Sequence, residues 1–369
     1  MHQSKLILET GDVFEGVSPL WVEKENFGEV VFNTGMVGYT EVLTDPSYKG
    51  QIVVFTYPMI GNYGVEAASF WESDQIHASG LVVSELAPFY ARSSAELSLE
   101  AWCKKTKTPL IANVDTRALT KVLRQYGVVA GAIVVGNAMP NKFVDINQQN
   151  LVAEVTADEV TVAGDGDKTV IVVDCGMKAN IWRHLCAYEG IRFKRVPYDY
   201  DYTNEAYDGI FISNGPGDPM QCKLTIEILK KAMSMHTDRA IFGICLGAQI
   251  LGLAIGAKTY KLKFGHRAQN HPCLHEGTNR CYLTSQNHGF GVDEETLPND
   301  WRVSFRNLND QSVQGIEHKH LPYFAVQFHP EAAPGPVDTA WLFDQFINQV
   351  KQKQQVGETQ LDRINKMTT

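Results

Sequence analysis

A single cysteine lies between two glycines at the point where the hydrophobic pattern of the chain changes its period. Residues 243–247 read GICLG; the apolar run before them is typical of a buried strand, and the run after them is typical of a helix. Glycines permit the tight turn that joins the two. At a helix N-terminus, the helix dipole and the free N–H groups favour a thiolate. The pattern predicts a nucleophilic Cys245, and it leaves open an ordinary buried cysteine at a strand end.

A thiolate alone does not account for catalysis. A free thiol is only a few per cent ionised at neutral pH, so full ionisation gains roughly thirtyfold in rate, or about 2 kcal/mol. Acyl transfer needs a general base and an oxyanion hole in addition. If Cys245 is catalytic, other parts of the sequence must supply both.

A histidine and a glutamate two residues apart follow a second apolar run. The segment FAVQFHPE ends in His329, Pro330 and Glu331. Residues i and i+2 of a strand point to one face, and the proline, which lacks an N–H, weakens strand pairing there. The pair is expected to emerge at the carboxyl end of a parallel strand, where sites form in open sheets. The pattern predicts a Cys–His–Glu triad, with His329 as proton shuttle and Glu331 orienting it; a surface His-Pro-Glu turn is the alternative.

A third turn is a candidate for the oxyanion hole. In FISNGPGDP, an apolar run ends in Gly215, Pro216 and Gly217. Small residues let backbone N–H groups approach a ligand closely, so this turn could form one wall of an oxyanion hole or a substrate clamp. A plain β-turn explains the same residues.

The elements around these turns predict an α/β fold. Strand-like and helix-like runs alternate over residues 169–350, which is the pattern of a mostly parallel sheet covered by helices. Residues 1–145 contain short β-rich runs and then a helix in VDTRALTKVLRQYG, and they predict a first, mixed and β-rich α/β domain. The polar residues 146–168 are interpreted as a linker, and residues 351–369 as a polar tail that is expected to be disordered.

The bulk composition narrows the class of protein. The chain has 369 residues, of which 44% are hydrophobic and 20% charged, and this suits two globular domains. The net charge of −9 argues against nucleic acid or an anionic membrane as the main partner. The sequence contains neither an apolar signal segment nor a stretch long enough to span a bilayer, so a cytoplasmic protein is expected.

Cysteine and histidine usage predicts neither a disulfide framework nor a metal centre. The seven cysteines include no C-x-x-C pair. A group of histidines and cysteines between residues 266 and 281 could suggest zinc, but its spacing matches no compact structural site, and a solvated loop explains it more simply. The members of this group are His266, His271, Cys273, His275 and Cys281.

Together, the turns resemble the motifs of a class I glutamine amidotransferase domain, whose triad is Cys, His and Glu in that chain order. NGPGDP, GICLG-Q, SQNHGF and HPEA-PGP occur here in sequence. The first half, through GEVVFNTGMVGYTEVLTDPSYKGQIVVFTYPMIGNYG and DTRALTKVLRQYG, resembles the N-terminal domain of carbamoyl-phosphate synthetase small subunits. The resemblance covers nearly the whole chain apart from the tail, and its motifs are long and specific.

The resemblance implies a role for each matching residue. Cys245 would attack the side-chain amide of L-glutamine to form a γ-glutamyl thioester, His329 would protonate the departing ammonia and then activate water, and Glu331 would hold the imidazole. Ser47 would reach the glutamine pocket from the first domain. The implied oxyanion donors are the backbone N–H groups of Leu246 and of Gly215 or Gly217, and the other implied pocket residues are Gln249, Asn287, Gly289 and Phe290.

The resemblance also implies a partner. Ammonia would pass to a separate large subunit of a heterodimer, which would use bicarbonate and two ATP with Mg²⁺ to make carbamoyl phosphate for arginine and pyrimidine biosynthesis. No cofactor is expected in this chain itself, which has no P-loop pattern.

Two departures from the family pattern leave alternatives open. Ala248 stands where family members usually have His after Cys-Leu-Gly, and Ala268 and Gln269 follow Arg267 where they usually have a Gly-Gly pair. The departures do not touch the triad, but they allow a divergent paralogue that is regulatory or weakly active. A free-standing cysteine hydrolase of the same fold is a third alternative, and it would not explain the first domain.

Overall fold

The computed structural model of the chain describes residues 1–23, 25–136, 139–140 and 142–352. Most of the predicted polar tail, residues 353–369, lies outside these described residues. The helices are α1 (Tyr39–Thr44), α2 (Leu99–Thr106), α3 (Thr116–Tyr126), α4 (Ala179–Cys186), α5 (Lys223–Met235), α6 (Leu246–Ala254) and α7 (Trp341–Lys351). The strands are β1 (His2–Leu8), β2 (Val13–Ser18), β3 (Asn26–Asn33), β4 (Gln51–Phe55), β5 (Met59–Ile60), β6 (Gly80–Val82), β7 (Glu85–Leu86), β8 (Leu110–Ile111), β9 (Val129–Val135), β10 (Thr161–Ala163), β11 (Lys168–Asp174), β12 (Ile191–Pro197), β13 (Gly209–Ile212), β14 (Ala240–Ile244), β15 (Thr259–His275), β16 (Arg280–Val292), β17 (Trp301–Asn307), β18 (Val313–His318) and β19 (Tyr323–Val326).

The first large sheet has the strand order β2-β1-β9-β3-β4-β6-β8, and we refer to the part of the chain built on it as the N-terminal unit. Strands β3, β4, β6 and β8 run parallel, and the others pair antiparallel. Successive side chains of β4 point to opposite faces of this sheet, so the sheet separates two hydrophobic clusters. Val53 packs on the face covered by α2, whereas Ile52 and Val54 pack on the face covered by α3. Helix α3 begins where the sequence predicts, with the Asp115 side chain accepting a hydrogen bond from Ala118 N at 2.8 Å.

The second sheet has the order β10-β12-β11-β13-β14-β19-β18-β17-β15-β16 and forms the C-terminal unit. Its centre, from β12 through β19, is parallel, and helices cover both faces. Ile241 of β14 packs with α5 and α6, whereas the next residue, Phe242, packs with α4 and α7. The predicted α/β fold class is therefore confirmed, including the mixed first sheet and the mostly parallel second one.

Two segments are more structured than their composition indicates. The predicted linker contains two short 3₁₀ turns, and β10 pairs antiparallel with the edge strand β12. The solvated loop that was predicted around residues 266–281 is wrong, since most of it lies in β15 and β16, and His266 and Cys273 are buried. Register shifts interrupt the β15–β16 pairing, and the N-terminal unit covers part of β15, so no simple polar–apolar alternation marks this strand.

None of the helices in the described part of the chain combines the length and the hydrophobicity that crossing a bilayer requires.

Replacing Phe242 with alanine should destabilise the C-terminal unit. The Phe242 ring is fully buried and stacks on Phe324 with centroids 4.4 Å apart, so truncation leaves a cavity beneath the strand that carries Cys245. We expect the free energy of unfolding to fall by about 3–5 kcal/mol. Urea unfolding of the variant measures this, with Phe70→Ala as the control because Phe70 is 61% exposed. Equal effects of the two substitutions would contradict the assigned core.

Candidate active site

Cys245 occupies a strained turn between the central strand β14 and helix α6. Its φ is 54° and its ψ is −104°, a left-handed conformation that is uncommon for residues other than glycine. The Cys245 N–H donates to Val326 O of the neighbouring strand at 2.8 Å, which fixes the turn to the sheet. A Cβ atom on Gly243 would lie 2.5 Å from Gly247 O, so the close approach of the two glycine backbones is what the GICLG pattern provides.

His329 and Glu331 form a buried pair beyond the end of β19. His329 Nδ1 and Glu331 Oε1 are 2.7 Å apart, and both residues are at most 2% exposed. The strand ends at Val326, three residues before His329, so strand alternation is not what orients the pair. Instead, His329 N donates to Ser285 O of β16 at 2.9 Å, and this single bridge anchors the segment. Nε2 of His329 has no hydrogen-bond partner among the described residues and is the nitrogen left for chemistry.

The charges around His329 hold it and Glu331 as an ion pair. Burial alone would lower the pKa of His329, but the charges of Glu331 and Cys245 raise it to about 10. Burial alone would raise the pKa of Glu331, and Lys178 and His329 lower it to about 2. An imidazolium is therefore available beside the Cys245 sulfur at neutral pH, which is the arrangement that a thiolate nucleophile and a proton donor require.

Lys178 is a buried cation that the sequence analysis missed. Its Nζ lies 3.0 Å from Glu331 Oε1 and donates to Ala332 O at 2.6 Å. Burial would lower the pKa of Lys178, but the carboxylates of Glu331, Glu72 and Asp45 raise it instead. Lys178 stands beyond the end of β11, in DCGMK, and the sequence there carries no signal that this lysine is buried and paired.

Cys245 lies in the wall of a pocket. The structure brings eight of the predicted site residues to its wall, and both units contribute. These eight are Ser47, Gly215, Gly217, Cys245, Gln249, Asn287, Gly289 and Phe290.

The remaining predicted residues lie close by but do not line this pocket. Leu246 is the first residue of α6, so its N–H has no acceptor within the helix, and its side chain packs in the core. His329 lines a second cavity, which shares Asn287 with the first, and Glu331 lies behind His329. A Cβ atom on Gly215 would lie 2.1 Å from Cys175 O, so only glycine fits at that wall.

A loop of the N-terminal unit enters the site through buried polar bonds. Asp45 accepts hydrogen bonds from Asn287 Nδ2 at 3.0 Å and from Asn214 Nδ2 at 3.3 Å. The same Asn214 amide donates to Ser47 Oγ at 2.8 Å. Both asparagines belong to the C-terminal unit, so these bonds seat Ser47 in the wall of the pocket. Asp45 and Asn214 were not among the predicted site residues, although Asp45 is two residues before Ser47 and Asn214 directly precedes Gly215.

Buried histidines support the far wall of the pocket. His266 Nε2 lies 2.8 Å from Asp310 Oδ2, its Nδ1 lies 3.2 Å from His288 Nε2, and His288 Nδ1 lies 2.8 Å from Phe290 O. Burial lowers the pKa of His288 well below its ordinary value, and the neighbouring His266 adds to the effect. His288 Nε2 also lies 3.0 Å from Gln286 Oε1, so the ring is held on both sides. No group of three or more His, Cys, Asp or Glu in the described part of the chain is arranged to hold a metal ion.

The departures from the family pattern fall at different places. Ala248 is buried among the apolar residues of α6 and does not line the pocket. Ala268 and Gln269 both line the second cavity, where the Gln269 amide donates to Val37 O at 3.4 Å. Arg267, which precedes them, lines the first pocket. Arg267 is only 4% exposed, its Nη1 donates to Phe264 O at 2.9 Å, and its Nε has no partner among the described residues. Burial lowers the pKa of Arg267, which leaves a poorly compensated cation at the pocket.

Comparison with known families identifies both units. Residues 171–349 match the model of the glutamine amidotransferase class-I family, which agrees with the Cys–His–Glu site on a parallel sheet. Residues 6–133 match the CPSase domain of the carbamoyl-phosphate synthase small chain. The C-terminal unit is thus a class-I glutamine amidotransferase domain.

The most similar relatives include single small chains and much longer proteins. The carbamoyl phosphate synthase arginine-specific small chain of Aspergillus oryzae is 45% identical over 366 residues, which cover 95% of this chain and 81% of that protein. That of Saccharomyces cerevisiae is 44% identical, covering 94% and 88%. The multifunctional protein CAD of Squalus acanthias is 47% identical over 353 residues, covering 93% of this chain and 16% of that protein. The chain spans about a sixth of the length of such multifunctional relatives.

The chain belongs to the carbamoyl-phosphate synthase small-chain family. The resemblance that the sequence motifs indicate is confirmed over both units.

The His329–Glu331 pair predicts a pH-dependent contribution to stability. Because the pKa of His329 is raised in the folded protein from 6.5 to about 10, its stabilising effect is complete below pH 6.5 and is lost as the pH rises through 10. We therefore expect the stability advantage of the unsubstituted chain over His329→Gln to decline across that interval, as measured by urea unfolding at several pH values. His320→Gln, at an exposed position, is the control. An advantage that grows with pH would contradict the ion pair.

Proposed function

We propose that the chain is the glutamine-hydrolysing subunit of a carbamoyl-phosphate synthase and that it acts through a cysteinyl thioester. The observation that carries the proposal is the position of Cys245, which stands at a strained turn beside the His329–Glu331 pair and opens onto a pocket lined by both units. Family membership supports the same activity.

In the first half-reaction, the Cys245 thiolate attacks the side-chain carbonyl carbon of glutamine. The developing oxyanion is stabilised by the N–H of Leu246 at the start of α6 and by an N–H of the Gly215–Gly217 turn. The His329 imidazolium gives its Nε2 proton to the amide nitrogen, ammonia leaves, and a γ-glutamyl thioester remains on Cys245. Glu331 holds Nδ1 throughout, which keeps Nε2 directed at the reacting atoms.

In the second half-reaction, the neutral imidazole becomes the base. His329 Nε2 removes a proton from water, and the resulting hydroxide attacks the thioester carbonyl carbon in the same oxyanion site. The C–S bond breaks, glutamate is released, and the thiolate–imidazolium pair is restored. The lowered pKa of Glu331 supports this cycle, because the carboxylate stays charged in both protonation states of the imidazole.

Two polar groups at the pocket suit the α-substituents of an amino acid. Arg267 lines the pocket and carries a guanidinium, which suits the α-carboxylate of glutamine. Ser47 Oγ accepts from Asn214, and no acceptor for its own hydroxyl proton is found among the described residues, so the hydroxyl can donate to the substrate. The Gln249 amide donates to Phe290 O at 2.9 Å, and this bond stiffens the pocket wall that both residues line.

Ammonia would serve a large subunit that binds bicarbonate and ATP with Mg²⁺. The proposal for this partner rests on the small-chain relatives and on the absence of a P-loop pattern from the sequence. Carbamoyl phosphate made by such a complex would enter arginine and pyrimidine biosynthesis, in keeping with relatives named as arginine-specific small chains. A cytoplasmic location is part of the same proposal.

Cys245→Ser should abolish glutamine hydrolysis while sparing ammonia-dependent synthesis by the complex with the large subunit. The sulfur serves only the thioester step, and a serine hydroxyl is not ionised by an imidazole of this pKa. Glutamate release and carbamoyl phosphate formation from ammonium are the two measurements. Cys186→Ser, at an exposed cysteine, is the matched control. Normal hydrolysis by Cys245→Ser would refute the assigned nucleophile, and negligible hydrolysis by the unsubstituted complex would favour the regulatory paralogue.

Arg267→Met should raise the KM for glutamine more than Ser47→Ala does, with little change in kcat for either variant. Both groups contact parts of the substrate that do not react, so they bind the ground state and the transition state alike. A charge-assisted hydrogen bond contributes about 1.5–3 kcal/mol and a neutral one about 0.5–1.5 kcal/mol, so the expected increases are roughly 10–150-fold and 2–13-fold. Steady-state kinetics with glutamine measure both. An unchanged KM for Arg267→Met would remove Arg267 from the substrate site.

A further inference from the structure

Glu72 is a residue of the N-terminal unit whose hydrogen bonds reach into the C-terminal unit. It is 1% exposed, and its own N–H donates to Thr44 Oγ1 at 2.9 Å, which fixes it to α1. Its backbone carbonyl accepts from Ala179 N at 2.7 Å, and its Oε2 accepts from Asn180 N at 3.0 Å. Its Oε1 lies 3.4 Å from Arg183 Nη1.

These bonds make Glu72 the cap of helix α4. Ala179 and Asn180 are the first two residues of that helix, and their N–H groups have no acceptors within it. Lys178 occupies the N-cap position but makes no capping bond with its side chain. The acceptors that a helix start needs therefore come from the other unit, and a carboxylate there also interacts favourably with the helix dipole.

The residues at this helix start hold the triad carboxylate. Lys178 Nζ contacts Glu331 Oε1, and Asn180 Nδ2 donates to Glu331 O. The Lys178 N–H donates to Asn214 Oδ1 at 3.0 Å, which links the same turn to the pocket. Glu331 in turn holds His329. A continuous series of contacts thus runs from Glu72 through the start of α4 and Glu331 to the imidazole of His329.

We infer that Glu72 is a positioning residue for the Cys–His–Glu triad, through which the N-terminal unit sets the geometry of the amidotransferase site. Glu72 does not contact the reacting atoms. It fixes the helix start that carries Lys178 and Asn180, and these fix Glu331. The inference deepens the proposed function, on which its main assay rests.

A positioning role for Glu72 predicts a different kinetic effect from a general loosening of the N-terminal unit. If the N-terminal unit only loosened, Ser47 would leave the pocket and the KM for glutamine would rise. If Glu331 lost its support, the imidazole would be misdirected while the pocket stayed intact, and kcat would fall. The ratio of the two effects separates a positioning role from a structural one.

Three substitutions at Glu72 test the inference. Glu72→Ala removes the acceptor, Glu72→Asp keeps the charge but is one methylene too short to reach Asn180 N, and Glu72→Gln keeps an acceptor of the same length. Burial raises the pKa of Glu72 to about 7, against the opposing effect of Lys178, so a neutral amide is a close replacement near pH 7. Glu66→Ala is the matched control, since Glu66 of the same unit pairs with Arg92 away from α4.

With glutamine as substrate, we expect Glu72→Ala to lower kcat at least tenfold and Glu72→Asp to lower it at least fivefold. The KM of both variants should change less than threefold. Glu72→Gln should stay within threefold of the unsubstituted chain in both parameters, and Glu66→Ala should be indistinguishable from it. Wild-type kcat in a folded Glu72→Asp variant would overturn the inference, as would a KM effect alone. Because Glu72→Asp retains the charge, it keeps the test valid if Glu72→Ala does not fold.

A second measurement does not involve glutamine. The rate at which iodoacetamide alkylates Cys245 reports how strongly the imidazolium stabilises the thiolate. We expect Glu72→Ala to lower this rate at least fivefold at pH 7. Glu72→Gln should restore the rate of the unsubstituted chain. The Cys245→Ser variant identifies the part of the signal that comes from other cysteines. If the unsubstituted chain hydrolyses no glutamine, the proposed function fails, while alkylation still decides the role of Glu72. Equal alkylation rates in all Glu72 variants would refute that role.

Discussion

The buried carboxylate of Glu331 is the group on which the arrangement of the site depends. A charge removed from water is tolerated only where cations and hydrogen-bond donors replace the lost solvation. Here His329 and Lys178 both contact the same oxygen, Oε1, and they come from different segments, one after β19 and the other at the start of α4. The carboxylate therefore ties the segment after β19 to the segment before α4, and the His329 imidazole is held where these two segments meet. The other carboxylate oxygen, Oε2, has no partner among the described residues.

Buried polar groups at the seam between the two units are also held by hydrogen bonds. Asp45 and Ser47 of the N-terminal unit are buried and are bonded to Asn214 and Asn287 of the C-terminal unit. A sliding movement of one unit against the other would leave several of these groups buried and unpaired, and each such group costs about 1–3 kcal/mol. Hydrogen bonds across the seam thus specify the relative orientation of the units. Because residues of both units line the pocket, these bonds also fix its shape.

Local patterns predicted much of the fold because they depend on local physics. Asp115 and Gly127 bound helix α3 as capping residues should, and the glycines around Cys245 permit the tight turn that the structure contains. The same kind of reasoning failed for residues 266–281. Their histidines suggest a solvated loop, but β15 and β16 pair there and His266 is buried against His288 and Asp310. The next residue, Arg267, is buried too, and its carbonyl accepts from Thr34 N of the N-terminal unit. Burial of polar residues in a strand depends on partners far away in the chain, and composition carries no sign of them.

The sequence by itself determined the α/β class, the tight glycine-flanked turn at Cys245 and the order of the Cys, His and Glu motifs, since each depends on neighbouring residues and on glycines at fixed spacings. Only the tertiary structure decided what surrounds them. Lys178, Asp45 and Glu72 are ordinary charged residues in the sequence. They become buried partners of the site because folding brings Lys178 to Glu331, Asp45 to Asn287 and Glu72 to the N–H of Asn180. His329 shows the difference most directly: its spacing from Glu331 is local, but its direction is set by a bridge to Ser285 and by Lys178, which the chain brings together only on folding.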